Sequence, residues 1–234
     1  MDFSVFEQSI NLVFKNKDLL KQAFIHRSYL NENRTLKLEH NERLEFLGDA
    51  VLELVITDYL FNKYPTKPEG DLTAYRSSLV NSNTLSAAAE KIGINSFLLL
   101  SKGEAKDTGR ARQYILANTF EAVVGAIYLD QGYAAAAEFI KAQLFELIDD
   151  IVKNQKFIDA KSRFQEVAQE RVGVTPMYKL IKETGPDHNK IFTVAVFLRD
   201  EQVVTGEGKS KQEAEQSAAE KALELKKWNV QVTE

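Results

Sequence analysis

Acidic side chains set into otherwise apolar helical stretches are the residues of this sequence best suited to chemistry. Residues 41–49 read NERLEFLGD and run directly into AVLELVI. Glu45 and Asp49 stand four apart, so a helix puts both carboxylates on one face. Glu42, three residues before Glu45, lies near that face. Gly48 removes a side chain beside them and lets a second backbone come close. Burying Asp49 unpaired between Leu47 and Val51 would be costly. The acids are therefore solvated, paired with Arg43 or a remote lysine, or joined to a cation. Residues 114–130, YILANTFEAVVGAIYLD, carry Asn118 and Glu121 three apart on a second apolar stretch. If the two helices face one another, these oxygens converge. Hard cations such as Mg²⁺ take oxygen ligands in octahedral geometry and keep several waters. Such a site polarises a phosphate and generates hydroxide for in-line attack. It needs no Ser, Cys or His nucleophile.

What the composition lacks agrees with that chemistry. There is no Cys, which excludes disulfides, thiolate zinc sites and a Cys nucleophile, and which fits a reducing cytoplasm. His26, His40 and His188 are scattered without metal-ligand spacing. His26 reads as a hydrogen-bonded structural residue, and His40 as one that helps fix a helix start. No GxxxxGK[ST] loop is present, so no nucleotide cofactor is expected. No run reaches the ~18 apolar residues that a membrane helix needs. The first residues lack the basic start and unbroken apolar run of a secretion signal. No membrane association and a cytoplasmic location are expected.

The elements that would position these residues can be read from periodicity. The chain has 234 residues, which suggests one or two domains. Apolar spacing is helical over residues 2–150 and predicts six or seven helices with no strand. Leu44, Leu47, Val51, Leu54 and Val55 form one stripe. Ile115, Phe120, Val123, Val124 and Ile127 form another, and Phe139, Leu144, Leu147 and Ile148 a third. The polar-rich VKNQKFID around 152–159 reads as a linker. A helix at 160–172 follows, then β-branched and aromatic strands at 174–182, 190–198 and 202–207, and a helix at 210–227. ETGPDHN between the first two strands is turn-rich. The order α-β-β-β-α predicts a three-stranded antiparallel sheet with one face covered by two helices. Net charge is −4, and residues 159–234 hold 12 Lys and Arg against 13 Asp and Glu. Any polyanion contact must therefore come from local clusters.

NERLEFLGDA closely resembles the signature of bacterial ribonuclease III, in which NERLEFLGDS is typical. The resemblance extends over FIHRSYLNEN, EGDLTAYRSSLVN at 69–81, and SKGEAKDTGRARQYILANTFEAVVGAIYLDQG at 101–132. The last region is similar to the double-stranded RNA-binding domain, with DAKSRFQE at 159–166, GPDHNKIF at 185–192 and GEGKSKQEAEQSAA at 206–219. The resemblance implies an all-α catalytic and dimerisation domain at 1–151, a linker at 152–158 and a small α+β RNA-binding domain at 159–228. It implies a homodimer that hydrolyses double-stranded RNA with Mg²⁺, or Mn²⁺ in its place. The products would carry 5′-phosphate and 3′-hydroxyl ends with short 3′ overhangs, in processing of ribosomal precursors and some messenger and transfer RNA. Matched residue by residue, Glu45, Asp49 and Glu121 would be catalytic or metal-binding, with Asp49 and Glu121 tied most directly to catalysis. Glu42 and Glu69 match acids near the RNA. Phe46 matches an aromatic used in dimer packing, where ordinary core packing is the alternative.

Two departures stand out. Most of the family has Asp where this chain has Asn118, whose amide oxygen can still ligate Mg²⁺ but lacks the charge. That change alone supports an alternative, a double-stranded RNA-binding protein with weak or absent cleavage. Ala50 for the usual Ser is milder. In the last region, Gln165 and Glu166 match a first minor-groove contact and His188 a second. Lys209 and Lys211 open the final helix, whose N-terminus also favours phosphate. The family usually has two or three lysines there. Gln212 and Glu215 replace two of them, which predicts weaker phosphate contact.

Overall fold

Helical apolar spacing governs the first part of the chain, and the computed structural model turns it into eight α-helices among the described residues. The structure describes residues 2–153, 160–186 and 190–228. The helices are α1 (Ser4–Ser9), α2 (Lys17–Ala23), α3 (Arg27–Glu32), α4 (Glu42–Lys63), α5 (Glu69–Val80), α6 (Ser82–Lys91), α7 (Arg110–Gln131) and α8 (Tyr133–Lys153). This exceeds the six or seven expected, because α1 and α3 have only six residues each. So short a helix shows too little of a 3.6-residue period to be read. No strand forms among the described residues of this part, a lone bridge between Ile25 and Leu99 aside.

The long helices α4 and α7 pack against each other at the centre. Ile115, Phe120, Val123, Val124 and Ile127 are all buried, as are Leu44, Val51 and Val55. Leu54 (57% exposed) and Leu147 (38%) leave their expected stripes and face outward. At the start of α4, Asn41 is the N-cap residue, and the His40 carbonyl just before it accepts from the Gln22 side-chain amide at 3.2 Å. Asn41 is buried, its side-chain amide donates to the Ala23 carbonyl at 3.1 Å, and its backbone N–H donates to Ile25 at 2.9 Å. His26 caps α3, accepting from the Ser28 backbone N–H at 3.3 Å, the structural role expected of it. Asn16 and Asn81 cap α2 and α6 in the same manner.

The second unit contains α9 (Ala160–Val172), β1 (Met177–Thr184), β2 (Ile191–Leu198), β3 (Glu201–Gly208) and α10 (Lys211–Leu225). The strands form an antiparallel sheet in the order β1-β2-β3. β1 starts at Met177 and not at 174, since Pro176 has no N–H for the ladder. Val194 pairs with Gly206, and Val196 with Val204. The helix-facing side meets the buried Ala214, Ala218, Ala219 and Ala222 of α10. A Cβ on Gly206 would stand 2.1 Å from the Ala218 nitrogen, so only glycine lets α10 lie this close to β3. Phe164 stacks on Trp228 at 5.6 Å and closes this core with Val167, Leu198 and Leu223.

The chain divides into two compact units, Met1–Phe157 and Ile158–Glu234. α8 runs to Lys153, into the segment expected to be a linker, and residues 154–159 lie outside those described. Among the described residues, no helix is long and apolar enough to cross a membrane.

Candidate active site and RNA-binding surface

Two glycines bring the acid-bearing helices together. A Cβ on Gly48 would lie 1.8 Å from the Glu121 carbonyl oxygen, and one on Gly125 would lie 2.2 Å from that of Leu44. Each helix thus uses a glycine to admit the other's backbone. The close approach that Gly48 led one to expect is present, and Gly125 is its counterpart. Glu45 and Asp49 on α4, and Asn118 and Glu121 on α7, stand beside this crossing and feel one another electrostatically.

The burial cost falls on a different acid from the one expected. Asp49 is exposed, because the helix turns it out of the stripe that Leu47 and Val51 suggested. Glu121 is the enclosed one. Burial pushes its carboxyl up to about 8, helped by the negative charges of Asp49, Glu45 and Glu53. Glu45 is half-buried and raised as well, by burial first and then by Glu42. The Asn118 amide donates to its carboxylate and pulls in the opposite direction.

Among the described residues, no three acidic or histidine side chains form a ready-made cation cage, so the donors share a face without closing on a point. Their chemistry still suits a hard divalent ion: three carboxylates and an amide oxygen, with like negative charges around the half-buried Glu121 carboxyl.

The remaining acids, of which Glu42 acts on Glu45 through its charge, have other partners. Glu42 pairs with Arg27 at 3.1 Å and lies 3.8 Å from His40 Nδ1. Glu69 is exposed and accepts from the Thr73 hydroxyl at 2.9 Å. It lines a separate groove of about 410 Å³ with Phe61, Leu72 and Arg76. Phe46 is 82% exposed, which removes core packing as its role within one chain.

In the second unit, Gln165 and Glu166 are exposed on α9, and Lys209 and Lys211 are exposed at the start of α10. His188 lies outside the described residues. The N-terminus of α10 is less open to phosphate than its sequence suggested. Ser210 accepts from the Glu213 N–H at 3.1 Å, while the Glu213 carboxylate accepts from the Lys209 N–H at 2.8 Å. A negative charge therefore occupies the first turn. Glu215 pairs with Lys161 at 2.5 Å.

Sequence reasoning missed Gly125, Glu53 and Arg27. Gly125 had a signal, a lone glycine inside an apolar helix four residues after Glu121. Glu53 had one too, one helical turn beyond Asp49. Nothing local linked Arg27 to Glu42.

A helical unit with an acidic, cation-suited face, followed by an α-β-β-β-α unit, defines a metal-dependent nuclease joined to a double-stranded RNA-binding module. Residues 16–148 match the family model described as Ribonuclease-III-like, and residues 160–226 match that of the double-stranded RNA binding motif. The chain is 45% identical over 220 residues to Ribonuclease 3 of Staphylococcus saprophyticus, covering 94% of this chain and 90% of that one. It is 46% identical over 217 residues to Ribonuclease 3 of Enterococcus faecalis, covering 93% and 94%. It resembles the crystal structure of the ribonuclease III nuclease domain of Campylobacter jejuni with a TM-score of 0.55 and 38% identity, covering 64% of this chain and 95% of that one. The chain belongs to the ribonuclease III family and is an endoribonuclease of double-stranded RNA. The family is one of nucleases that need a divalent metal, and the alternative of binding without cleavage is not favoured.

Proposed function

We propose that this chain hydrolyses both strands of duplex RNA with Mg²⁺ held at the α4–α7 face, Mn²⁺ being able to replace it. The products are 5′-phosphate and 3′-hydroxyl ends. The chain acts as a homodimer in the cytoplasm, on ribosomal precursors and some messenger and transfer RNA. One observation carries this reading: the glycine crossing of α4 and α7 that gathers Glu45, Asp49, Asn118 and Glu121 on one face.

Glu45, Asp49, Asn118 and Glu121 would hold the cation. When bound, it supplies Lewis-acid polarisation of a phosphate oxygen and offsets the charge that builds there. The chain's own residues do the rest. Glu121, with its carboxyl raised to about 8, keeps a proton on that group until positive charge arrives. Asp49, exposed beside it, is the acid best placed to meet an incoming phosphodiester. Asn118 orients Glu45 through its amide N–H without adding a fourth negative charge. Glu45, Asp49 and Glu121 would therefore offer the cation three charges, where an Asp in place of Asn118 would offer a fourth.

Glu42 and Glu69 are assigned to the walls of the RNA channel. Exposed Phe46, Leu54 and Phe61 fall within one stripe of α4 and support a second copy packing there. The Campylobacter jejuni nuclease domain has been described with a region involved in dimer formation. Gln165, Glu166 and His188 are assigned to minor-groove contact, and Lys209 and Lys211 to phosphate. Glu213 in the first turn of α10, together with Gln212 and Glu215, keeps that phosphate contact weak.

The test is an assay on labelled long duplex RNA beside the same strand unpaired, with and without Mg²⁺. Discrete products from the duplex alone, only with the metal, support the reading. An intact duplex that is bound but not cut refutes it.

A further inference from the structure

One carboxylate in the second unit faces two ammonium groups at the end of the sheet where β1 stops and β2 begins. Glu183, near the end of β1, has Oε1 3.8 Å from Lys211 Nζ and Oε2 3.9 Å from Lys190 Nζ. Lys211 comes from the first turn of α10 and also stands 6.0 Å above the Phe192 ring. Lys190 immediately precedes β2. Three separate segments thus meet at one carboxylate. Phe192, directly opposite Glu183 in the β1–β2 register, forms the floor.

The geometry is that of a loose ion cluster. Both separations are near 4 Å, too long for a charge-assisted hydrogen bond. Lys211 is 60% exposed and Glu183 37%. Pairs of this kind contribute little and are screened by salt. Glu183 therefore does not fix either lysine in direction, and it is exchanged at little cost when a stronger anion approaches. Its neighbourhood adds to this, for Glu213 already stands in the first turn of α10.

We infer that Glu183 is an internal counter-ion that competes with RNA phosphate for Lys190 and Lys211, and so sets how tightly and how salt-sensitively this chain holds duplex RNA. The inference rests on the reading of Lys211 as a phosphate contact. A phosphate that reaches Lys211 displaces Glu183, and the affinity gained is the phosphate contact less the pair that is lost. Counter-ion release is reduced as well, because the lysines arrive partly neutralised.

The experiment uses the full chain and a duplex of about 16 base pairs, the span of one such domain, without divalent metal so that nothing is cut. Dissociation constants are measured across a salt series. Glu183→Gln keeps the shape and removes the charge. It is expected to tighten binding about three- to tenfold at low salt and to steepen the salt dependence by up to about one unit. In a Lys190→Ala/Lys211→Ala background the same substitution is expected to lose at least half of that gain. Unchanged or weaker binding by Glu183→Gln overturns the inference. An undiminished gain without the lysines does so too, because it would mark simple repulsion of RNA by Glu183. Lys211→Ala alone tests the underlying contact. If it leaves binding and salt slope unchanged, the assignment of Lys211 to phosphate fails, whatever Glu183 does.

Discussion

Gly48 and Gly125 admit each other's helix reciprocally. The missing Cβ of Gly48 would strike the Glu121 carbonyl at 1.8 Å, and that of Gly125 would strike the Leu44 carbonyl at 2.2 Å. Both obstacles are backbone, which cannot swing aside as a side chain can. The separation of α4 and α7, and hence of the oxygens they carry, is set at this point.

Gly125→Ala is therefore expected to do two things. It should destabilise the first unit by about 1–3 kcal/mol, the usual cost of overpacking, seen as an earlier thermal unfolding transition. It should also raise the Mg²⁺ concentration needed for half-maximal cleavage, because donors on the two helices are pushed apart. Stability lost with an unchanged Mg²⁺ requirement would mean that the crossing does not set the donor spacing.

The raised carboxyl of Glu121 makes metal-free stability depend on pH. Its folded value, about 8, lies above its ordinary value of 4.5. Between these two, the folded chain holds a proton that the unfolded chain has lost. Stability from this group is full below pH 4.5, falls as pH rises, and levels off above about 8. In chelator, the melting temperature of Glu121→Gln relative to the parent should rise across that window and stay flat above it. A constant difference across the window would contradict the assigned environment.

Asn118→Asp adds a fourth negative charge and removes the amide donor to Glu45. The variant is expected to cut at lower Mg²⁺ concentration than the parent. It should also be less stable in chelator, since another like charge joins the group. A cleavage curve that does not move along the Mg²⁺ axis would mean that Asn118 is not a ligand.

Much of this was legible in the sequence, for physical reasons that differ by element. The α-β-β-β-α order followed from a change of apolar period, which one residue can shift but not erase; Pro176 moved the start of β1 and nothing more. The shared face of Glu45 and Asp49 followed from four-residue spacing. Burial did not follow, because it depends on a partner helix that the sequence does not orient. Asp49 turned outward, Glu121 inward, and Leu54 out of its stripe. Contacts between distant segments, such as Arg27 with Glu42 or Lys211 with Glu183, leave no local pattern at all.

Phe46 projects from α4 only one residue after Glu45, almost fully exposed. If a second copy covers it, Phe46→Glu should place a charge in an apolar interface and shift the protein to a monomer in sedimentation analysis. Melting of the isolated fold should change little, because the side chain touches no core. A dimer of undiminished strength would remove Phe46 from the interface.

The most direct measurement compares the parent chain with Glu121→Gln on duplex RNA, reading binding in chelator and cleavage in Mg²⁺ from the same preparations. Equal duplex affinity is expected, with cleavage slowed at least about 100-fold, some 2.7 kcal/mol of barrier. Cleavage by Glu121→Gln at the parent's rate would contradict an active site built where α4 crosses α7.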